Sequence, residues 1–365
     1  MTGVQTCALP ILIPVTILSG SLGSGKTTLL KNILSENHGK KIAVIENEFG
    51  EENIDNDILV QDSNEQIVQM SNGCVCCTIR GDLVVALNNL WEQRQDKKIH
   101  FDRVVIETTG VANPGPVAQT FFIDDEVASH YVLDAIVTLV DAKHGHQQLD
   151  QHEEVQQQVG FADRIFITKT DLVSQADVDN LRHRLMHMNP RATISGISQG
   201  HVPLSQVLDL RGFNLNDKLD IDPHFLEAED HDHSNCNHSD HEHGSECGHD
   251  HHHHHHEQKV EFVKKTHTDR IQSFVFRSDR PFDVQKLEDF LGGILSVFGA
   301  KMLRYKGVLY VKSNPRKVII QGVHEMMGSD LGGLWGKDKK ETRMVFIGID
   351  LPKDVLLGGL ETCLV

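Results

Sequence analysis

Residues 20–28 read Gly-Ser-Leu-Gly-Ser-Gly-Lys-Thr-Thr, which matches the phosphate-loop pattern of Gly, four residues and Gly-Lys-Thr. A short apolar run, Val15–Ser19, precedes the loop and predicts a buried strand. The spacing of leucine and isoleucine within Thr27–Leu34 predicts a helix after it. Strand, loop and helix in this order predict a nucleoside triphosphate site, and a glycine-rich turn that matches by chance is the alternative.

The residues of this loop have separate expected roles. Its glycines allow backbone conformations that a Cβ would forbid, so that successive N–H groups and the N-terminus of the helix can face the phosphates. Lys26 is expected to reach the β- and γ-phosphates, and Thr27 to offer its hydroxyl to Mg²⁺, which prefers oxygen ligands. Both are assigned to catalysis. The predicted nucleotide contacts in the loop are Gly20, Gly23, Ser24, Gly25, Lys26, Thr27 and Thr28.

The composition of the 365-residue chain narrows the function classes. Its formal net charge is −17, from 52 acidic and 35 basic residues, which argues against a nucleic-acid partner because phosphate backbones require a basic surface. No apolar run reaches the length of a membrane span, and the first residues lack the basic start of a signal peptide. A cytoplasmic protein with no membrane partner is therefore expected. The seven cysteines do not resemble a disulfide framework, so metal or redox chemistry is favoured.

Three of the cysteines, Cys74, Cys76 and Cys77, fall within four residues on an expected turn. Thiolates this close can converge on one Zn²⁺ ion, or on Co²⁺ or Ni²⁺. Three sulfurs are one short of a closed tetrahedral site, so the fourth position is exchangeable or is filled from elsewhere, with Glu46 and Glu51 of an acidic loop as candidates. An exchangeable position suits delivery of the metal. A buried thiol cluster and a redox pair are the alternatives.

A buried strand predicted at Arg103–Ile106 leads into the sequence Glu-Thr-Thr-Gly. Glu107 can hold the hydration shell of Mg²⁺, and Gly110 can place a backbone N–H near the γ-phosphate, so both are assigned to catalysis. Asp141, at the end of another apolar run, is the rival for the acidic position. The motifs place no arginine finger and no water-orienting glutamine, which predicts slow hydrolysis.

The strand predicted at Arg164–Thr168 leads into the sequence Thr-Lys-Thr-Asp, with Thr168, Lys169 and Asp171 as the expected contacts to the base. The carboxylate of Asp171 can accept hydrogen bonds from N1–H and the exocyclic amine of guanine, whereas adenine presents an acceptor at N1. The predicted nucleotide is therefore GTP. Thr168 stands where the usual guanine motif has Asn, and it cannot make both hydrogen bonds of an amide, so a modest affinity is expected.

These motifs, with Glu-Asn-Glu-Phe-Gly-Glu at residues 46–51 and Cys-x-Cys-Cys, occur in the order and spacing of the CobW family of P-loop GTPases. The chain resembles the YjiA-like branch of that family over Ile13–Pro352, apart from a histidine-rich insert. The resemblance implies a metallochaperone that couples GTP hydrolysis to the transfer of a transition metal, often zinc, to a client metalloprotein. A metal-storage or metal-sensing protein with a regulatory nucleotide site is the alternative, and Asp171 disfavours an ATP-dependent kinase or biosynthetic enzyme.

The histidine-rich insert lies at residues 229–257 and contains 12 of the 24 histidines of the chain. Its polar composition cannot form a core, so a mobile loop is expected. Neutral imidazoles with interspersed carboxylates suit Zn²⁺, Ni²⁺, Co²⁺ or Cu²⁺, which predicts several weak sites; a solvated spacer is the alternative. The candidate ligands are His231, His233, His241, His243, His249, His251, His253 and His255.

The predicted fold is an α/β P-loop NTPase domain with a mostly parallel sheet, followed by a smaller α+β CobW C-terminal domain with an antiparallel sheet. A last helix of the first domain is predicted at Pro203–Leu210. Leu303–Gly307 resembles a signature of the family to which no chemical role is assigned. Whether the chain forms a homo-oligomer is left open. The expected domains are a non-native or disordered leader (1–12), the GTPase domain (13–212), a linker with the histidine-rich loop (213–269) and the C-terminal domain (270–365).

Overall fold

The computed structural model describes residues 12–36, 39–46, 67–69, 79–213 and 269–365. These residues form two sheets with flanking helices, one sheet parallel and one antiparallel, so the predicted fold class is confirmed. Among the residues so described, none of the helices combines the length and the apolar character needed to cross a membrane.

Seven parallel strands form the first sheet. They are β1 (Ile13–Gly20), β2 (Ile42–Glu46), β3 (Ile67–Gln69), β4 (Arg103–Glu107), β5 (Tyr131–Asp141), β6 (Arg164–Thr168) and β7 (Thr193–Gly196). Their order across the sheet is β3-β2-β4-β1-β5-β6-β7. Because β1 lies between β4 and β5, the loop that follows β1 opens where the winding of the chain reverses, which is where ligands bind in such sheets.

Helices cover both faces of this sheet. They are α1 (Lys26–Ser35), α2 (Ile79–Gln95), α3 (Pro114–Ile123), α4 (Asp125–His130), α5 (Gly145–Gln151), α6 (Glu153–Phe161) and α7 (Gln175–Met188). Side chains of β1 alternate between two buried clusters: Val15 and Ile17 pack with α2, α3 and α6, and Leu18 packs with α1. Burial on both faces explains why the strands are continuous apolar runs.

The helix predicted at Pro203–Leu210 is wrong: the structure has only a short 3₁₀ turn, Leu204–Gln206. The backbone then enters the left-handed region at Asp209 and Arg211, with φ of 61° and 54°, which a right-handed helix cannot accommodate. Asp209 forms ion pairs with Lys40 and Arg103 instead. These ion pairs with distant residues favour the observed conformation of this segment.

The second sheet has five antiparallel strands and two packed helices. The strands are β8 (Ile271–Ser278), β9 (Met302–Leu309), β10 (Arg316–Val323), β11 (Met326–Leu334) and β12 (Thr342–Ile349), and the helices are α8 (Val284–Phe298) and α9 (Lys353–Thr362). The order across the sheet is β11-β10-β9-β12-β8. The sequence did not indicate β11, because its glycines and polar residues interrupt the apolar alternation.

The two domains pack through α6 and α7, which contact β9 and β8. A Cβ on Gly160, near the end of α6, would lie 2.6 Å from the Leu303 side chain and 3.1 Å from that of Ile271, so a larger residue would require these side chains to shift. The Ser273 hydroxyl donates to the carbonyl oxygen of His187 at 2.6 Å. The contact is thus close and partly hydrogen-bonded.

Candidate nucleotide-binding site

The phosphate loop joins β1 to α1, and its glycines have backbone angles that other residues rarely adopt. The φ angle is +139° at Gly20, +72° at Gly23 and +100° at Gly25. A Cβ on Gly20 would lie 2.4 Å from the carbonyl oxygen of Leu139 on β5, so a larger residue would displace the loop. The structure therefore gives the Gly-rich stretch the sharp turn that the sequence pattern predicts.

Lys26 is the first residue of α1, and its ammonium group lies against the loop that precedes it. Its Nζ donates to the carbonyl oxygens of Gly20 at 2.9 Å and of Ser21 at 3.1 Å. Burial lowers the pKa of Lys26, and the charge of Glu107 opposes this effect. The ammonium is thus held inside the loop by two carbonyl groups, close to a carboxylate that favours its charged form.

Thr27 and Glu107 bring a hydroxyl and a carboxylate together beside the loop. The Thr27 Oγ1 donates to Glu107 Oε1 at 3.0 Å, although the two residues are 80 positions apart in the chain. Glu107 ends β4, next to β1 in the sheet, and the Thr108 N–H donates to the Leu18 carbonyl. The Thr27 hydroxyl oxygen and the Glu107 carboxylate oxygens are the kind of ligand that Mg²⁺ prefers.

Three further hydroxyl groups near the loop are buried and make no hydrogen bond within the described part of the chain. They belong to Ser19, Ser24 and Thr109. Ser19 directly precedes the loop, Ser24 lies within it, and Thr109 follows Glu107 by two residues. Because buried hydroxyls nearly always have partners, these groups fit a site that phosphate oxygens or metal-bound water complete.

Gly110 lies directly against the phosphate loop. A Cβ at Gly110 would be 2.4 Å from the backbone nitrogen of Leu22 and 2.6 Å from its Cα, so the two backbones are in contact. The Gly110 carbonyl accepts a hydrogen bond from Gln158 on α6 at 3.1 Å. The sequence motif did not indicate Gln158, since it lies in a glutamine-rich helix 48 residues away. Another residue without a sequence signal is Gln148, which accepts from the Ser21 hydroxyl at 2.7 Å.

Asp141, the rival for the acidic position, has other partners. Its Oδ2 accepts from Lys169 Nζ at 2.7 Å, and its Oδ1 accepts from the Lys143 N–H at 2.8 Å. Burial works to raise the pKa of Asp141, but hydrogen bonds from Lys169, His144 and Lys143 lower it below the usual value. The carboxylate therefore organises the loop after β5 and orients Lys169, whereas Glu107 faces Thr27.

The predicted base-contacting residues follow β6. The Thr168 hydroxyl donates to the Ser24 carbonyl at 2.7 Å, which ties the end of β6 to the phosphate loop. Lys169 adopts a left-handed conformation with φ of 56°. Asp171 is exposed, and its Oδ1 accepts from the Ser198 hydroxyl at 3.1 Å. The structure thus brings Thr168 next to the loop and leaves the Asp171 carboxylate accessible; Thr28 is exposed on α1.

Much of the predicted transition-metal site lies outside the described residues: Cys74, Cys76, Cys77, Glu51 and every histidine of residues 229–257. Glu46 is described. It ends β2 and is the register partner of Glu107 on the adjacent β4, with Gln69 of β3 on its other side. The candidate metal ligand Glu46 therefore lies on the strand next to the candidate Mg²⁺ ligand Glu107.

Family comparisons place the chain among known proteins. Residues 14–195 match the domain described as CobW/HypB/UreG, nucleotide-binding domain. Residues 271–364 match the cobalamin synthesis protein CobW C-terminal domain. Both matches fall on the sheets described above.

Relatives match over nearly the whole chain. The zinc chaperone YjiA of Escherichia coli is 38% identical and is covered to 96%, with 94% of this chain aligned. The zinc chaperone CobW of Pseudomonas aeruginosa is 30% identical, with 96% of this chain and 92% of that protein aligned. The crystal structure of the Zn(II)-bound YjiA GTPase from E. coli superimposes with a TM-score of 0.73 at 32% identity, over 96% of this chain and 99% of that one.

Proposed function

Because the chain belongs to the CobW family, we propose that it is a Mg²⁺-dependent GTPase that delivers a transition metal, zinc in the first place, to a client metalloprotein. The observation that carries the proposal is the arrangement of Lys26, Thr27 and Glu107 around the glycine turn of the phosphate loop. It is supported by relatives whose names describe a zinc chaperone and a zinc-regulated GTPase metalloprotein activator, the latter from Dictyostelium discoideum at 29% identity.

In this proposal each group has a separate role in hydrolysis. The loop N–H groups and Lys26 bind the β- and γ-phosphates and stabilise the charge that develops as the γ-phosphoryl group leaves. Thr27 and Glu107 would hold Mg²⁺, which neutralises charge on the phosphate oxygens when bound. Gly110 lines the γ-phosphate side of the loop, and Asp171 selects guanine. These assignments are predictions for each residue.

The phosphate-loop assignment can be tested with Lys26→Ala. We expect this variant to lower kcat for Mg²⁺-dependent GTP hydrolysis by at least about 10²-fold, because a positive charge at the transferred phosphate is lost. Lys31→Ala, on the same helix, is the matched control and should retain turnover. Phosphate release under saturating GTP measures both. Wild-type turnover in the Lys26 variant would contradict the proposal.

We further propose that the metal is held by Cys76 and Cys77, with Cys74, Glu46 or Glu51 completing the set of ligands. The neighbouring register positions of Glu46 and Glu107 support a direct link between this site and the nucleotide. Linkage is reciprocal, so GTP should tighten metal binding by the factor with which the metal tightens GTP binding. Hydrolysis would then weaken metal binding and favour transfer to the client.

The coupling is tested by metal titration in two nucleotide states. Zn²⁺ or Co²⁺ affinity is measured with Mg²⁺ and a non-hydrolysable GTP analogue, with Mg²⁺ and GDP, and again in a Cys76→Ser, Cys77→Ser variant. We expect tighter binding with the GTP analogue and no nucleotide effect in the variant. Equal affinities in both states would favour storage or sensing of the metal over delivery.

The remaining parts of the proposal concern surroundings and partners. We propose a cytoplasmic location and no nucleic-acid or membrane partner, supported by the net charge of −17 and by cysteines that cluster in the metal motif. Salt-dependent retention on DNA or on anionic vesicles would contradict this part, and sedimentation would measure the oligomeric state.

A further inference from the structure

Gln158 is a buried glutamine on α6 whose side-chain amide reaches into the loop that follows β4. Its exposure is 0%. The Nε2 group donates to the carbonyl oxygens of Gly110 at 3.1 Å and of Ala112 at 3.0 Å. Both acceptors are backbone carbonyls, so the amide orientation is decided by chemistry: only the NH₂ end can make these two bonds.

We propose that Gln158 is a positioning residue for GTP hydrolysis. It fixes the segment 108–113, here called the Gly110 loop, against the phosphate loop, and it connects the Gly110 loop to the C-terminal domain. The inference rests on the proposed GTPase function and adds a residue that none of the sequence motifs contains.

The hydrogen bond from Gln158 sets the orientation of the loop backbone. Gly110 is in backbone contact with Leu22 of the phosphate loop. A carbonyl oxygen turned toward the γ-phosphate would repel it, whereas an N–H group would bind it. Gln158 holds the Gly110 carbonyl toward α6, and the C=O and N–H of one trans peptide unit point in opposite directions. The N–H of Val111 is therefore directed away from α6, and the Gly110 N–H, the group predicted to face the γ-phosphate, lies on the adjoining peptide unit.

This orientation leaves the side-chain oxygen of Gln158 unsatisfied. The Oε1 of Gln158 is buried and has no hydrogen-bond partner in the described part of the chain. A glutamine that served only to fill the core would be expected to satisfy its own acceptor. Both N–H bonds go to the loop instead, which indicates that the side chain is placed for the loop carbonyls.

The end of α6 contacts the second sheet. Gly160, two residues after Gln158, lies against Leu303, and Phe161 packs edge-on against His324, with ring centroids 5.2 Å apart. His324 occupies the turn between β10 and β11. His324 also lies close to α3, the helix that follows the Gly110 loop: a Cβ on Gly115 would be 2.7 Å from His324 Nε2. The Gly110 loop is thus connected to the C-terminal domain in two ways, through α6 and through α3.

The last turn of α6 is hydrogen-bonded to the side chain of Asn189. The Asn189 side-chain amide donates to the carbonyl oxygens of Val159 at 2.7 Å and of Ala162 at 2.8 Å, which satisfies the end of the helix. A shift of Gly110 that follows the nucleotide state would reach β9 through a helix whose last turn is hydrogen-bonded.

The test compares two buried glutamines on the same helix. Gln158→Met keeps the length of the side chain but removes its donors. Gln156→Met is the matched control for loss of a buried amide: Gln156 bonds the backbone of Leu149 and of Arg270 in the C-terminal domain, and neither bond involves the nucleotide loop. We expect Gln158→Met to lower kcat by about tenfold or more while GDP affinity and melting temperature stay close to those of Gln156→Met.

Hydrogen exchange of the wild-type protein and of Gln158→Met tests the connection. Amide exchange in segments 302–309 and 323–326 should differ between the GDP state and the GTP-analogue state, and Gln158→Met should abolish that difference. Equal kcat in the two glutamine variants, or identical wild-type exchange in both nucleotide states, would overturn the inference. Absence of wild-type GTP hydrolysis would instead overturn the proposed function.

Discussion

The guanidinium of Arg304 lies 2.8 Å from the carboxylate of Asp163, and this ion pair joins the two domains with side chains only 2% and 5% exposed. The Arg304 Cζ also lies 3.8 Å from the ring centroid of Phe213. Burial lowers the pKa of Arg304, and the charge of Asp163 opposes this effect. Burial, together with the charge of Arg304, lowers the pKa of the nearby Arg191 to about 10. Asp163 therefore balances more than one buried guanidinium.

Removing Arg304 should destabilise the protein, because it leaves the Asp163 carboxylate buried without its main partner. For Arg304→Ala we expect a loss of about 3–5 kcal/mol in the free energy of unfolding, measured by urea denaturation followed by circular dichroism. Arg270→Ala is the matched control: Arg270 also joins the domains, through Glu153, but it is about half exposed and should have little effect. Similar losses in both variants would contradict a specific role for the buried pair.

The parts of the molecule that the sequence predicted are those whose chemistry lies in one short segment. The phosphate loop needs a run of glycines between a strand and a helix, and both elements could be inferred from local spacing. Asp163 and Arg304 are 141 positions apart, and neither has a local pattern that identifies its partner. The same holds for Gln158 and Gly110. Strand order brings such residues together, and a single sequence does not state that order.

The acidic residue of the nucleotide site can be identified by comparing Glu107 with Asp141. Glu107→Gln is expected to lower kcat by roughly 10²-fold and to raise the Mg²⁺ concentration needed for half-maximal hydrolysis, since the neutral amide is a poor ligand for the ion at Thr27. Asp141→Asn should act mainly on nucleotide affinity, because a neutral amide holds Lys169 less strongly than the carboxylate does. Hydrolysis rates over a Mg²⁺ titration measure both effects. A stronger effect of Asp141→Asn on Mg²⁺ dependence would reverse the assignment.

Base selection is predicted to depend on Asp171. Asp171→Asn should weaken GTP binding by about 10- to 100-fold, the value of hydrogen bonds to a charged group, and should improve binding of xanthosine triphosphate. Ser198→Ala removes only the hydroxyl that donates to Asp171 and should have a smaller effect. Displacement of fluorescent GDP by each nucleotide measures the affinities. Unchanged GTP affinity in Asp171→Asn would place the guanine contact elsewhere.

Deletion of residues 230–256 is expected to lower the number of metal ions bound while GTP hydrolysis continues. The chain on either side of this tract is fastened independently of it: the Phe213 carbonyl accepts from Gln321, and Asp269 pairs with Arg184. Metal content by elemental analysis and phosphate release measure the two properties. Loss of folding in the deletion variant would show that the tract is structural.

The last prediction concerns acid sensitivity at the interdomain turn that contains His324. Burial lowers the pKa of His324, and the charge of Glu325 and contacts with the backbone of Gly299 and Ala300 act in the opposite direction. The histidine of the unfolded chain has a pKa of about 6.5, so below that pH the unfolded chain binds a proton at His324 more readily than the folded chain does. Its contribution to stability is therefore present above that pH and is lost as the pH falls through the lower folded pKa.

We expect the melting temperature to fall between about pH 7.5 and about pH 5.5, and we expect His324→Asn to make that fall smaller. Asn is chosen because it tolerates the left-handed conformation at this position, where φ is 52°. His201→Asn, at an exposed histidine, is the matched control and should keep the wild-type slope. His146, whose pKa is also lowered by burial, contributes with the same sign to all three proteins. The smaller change of melting temperature with pH should thus be specific to His324→Asn. Equal changes in the two variants would show that protonation of His324 does not set the acid limit of the folded state.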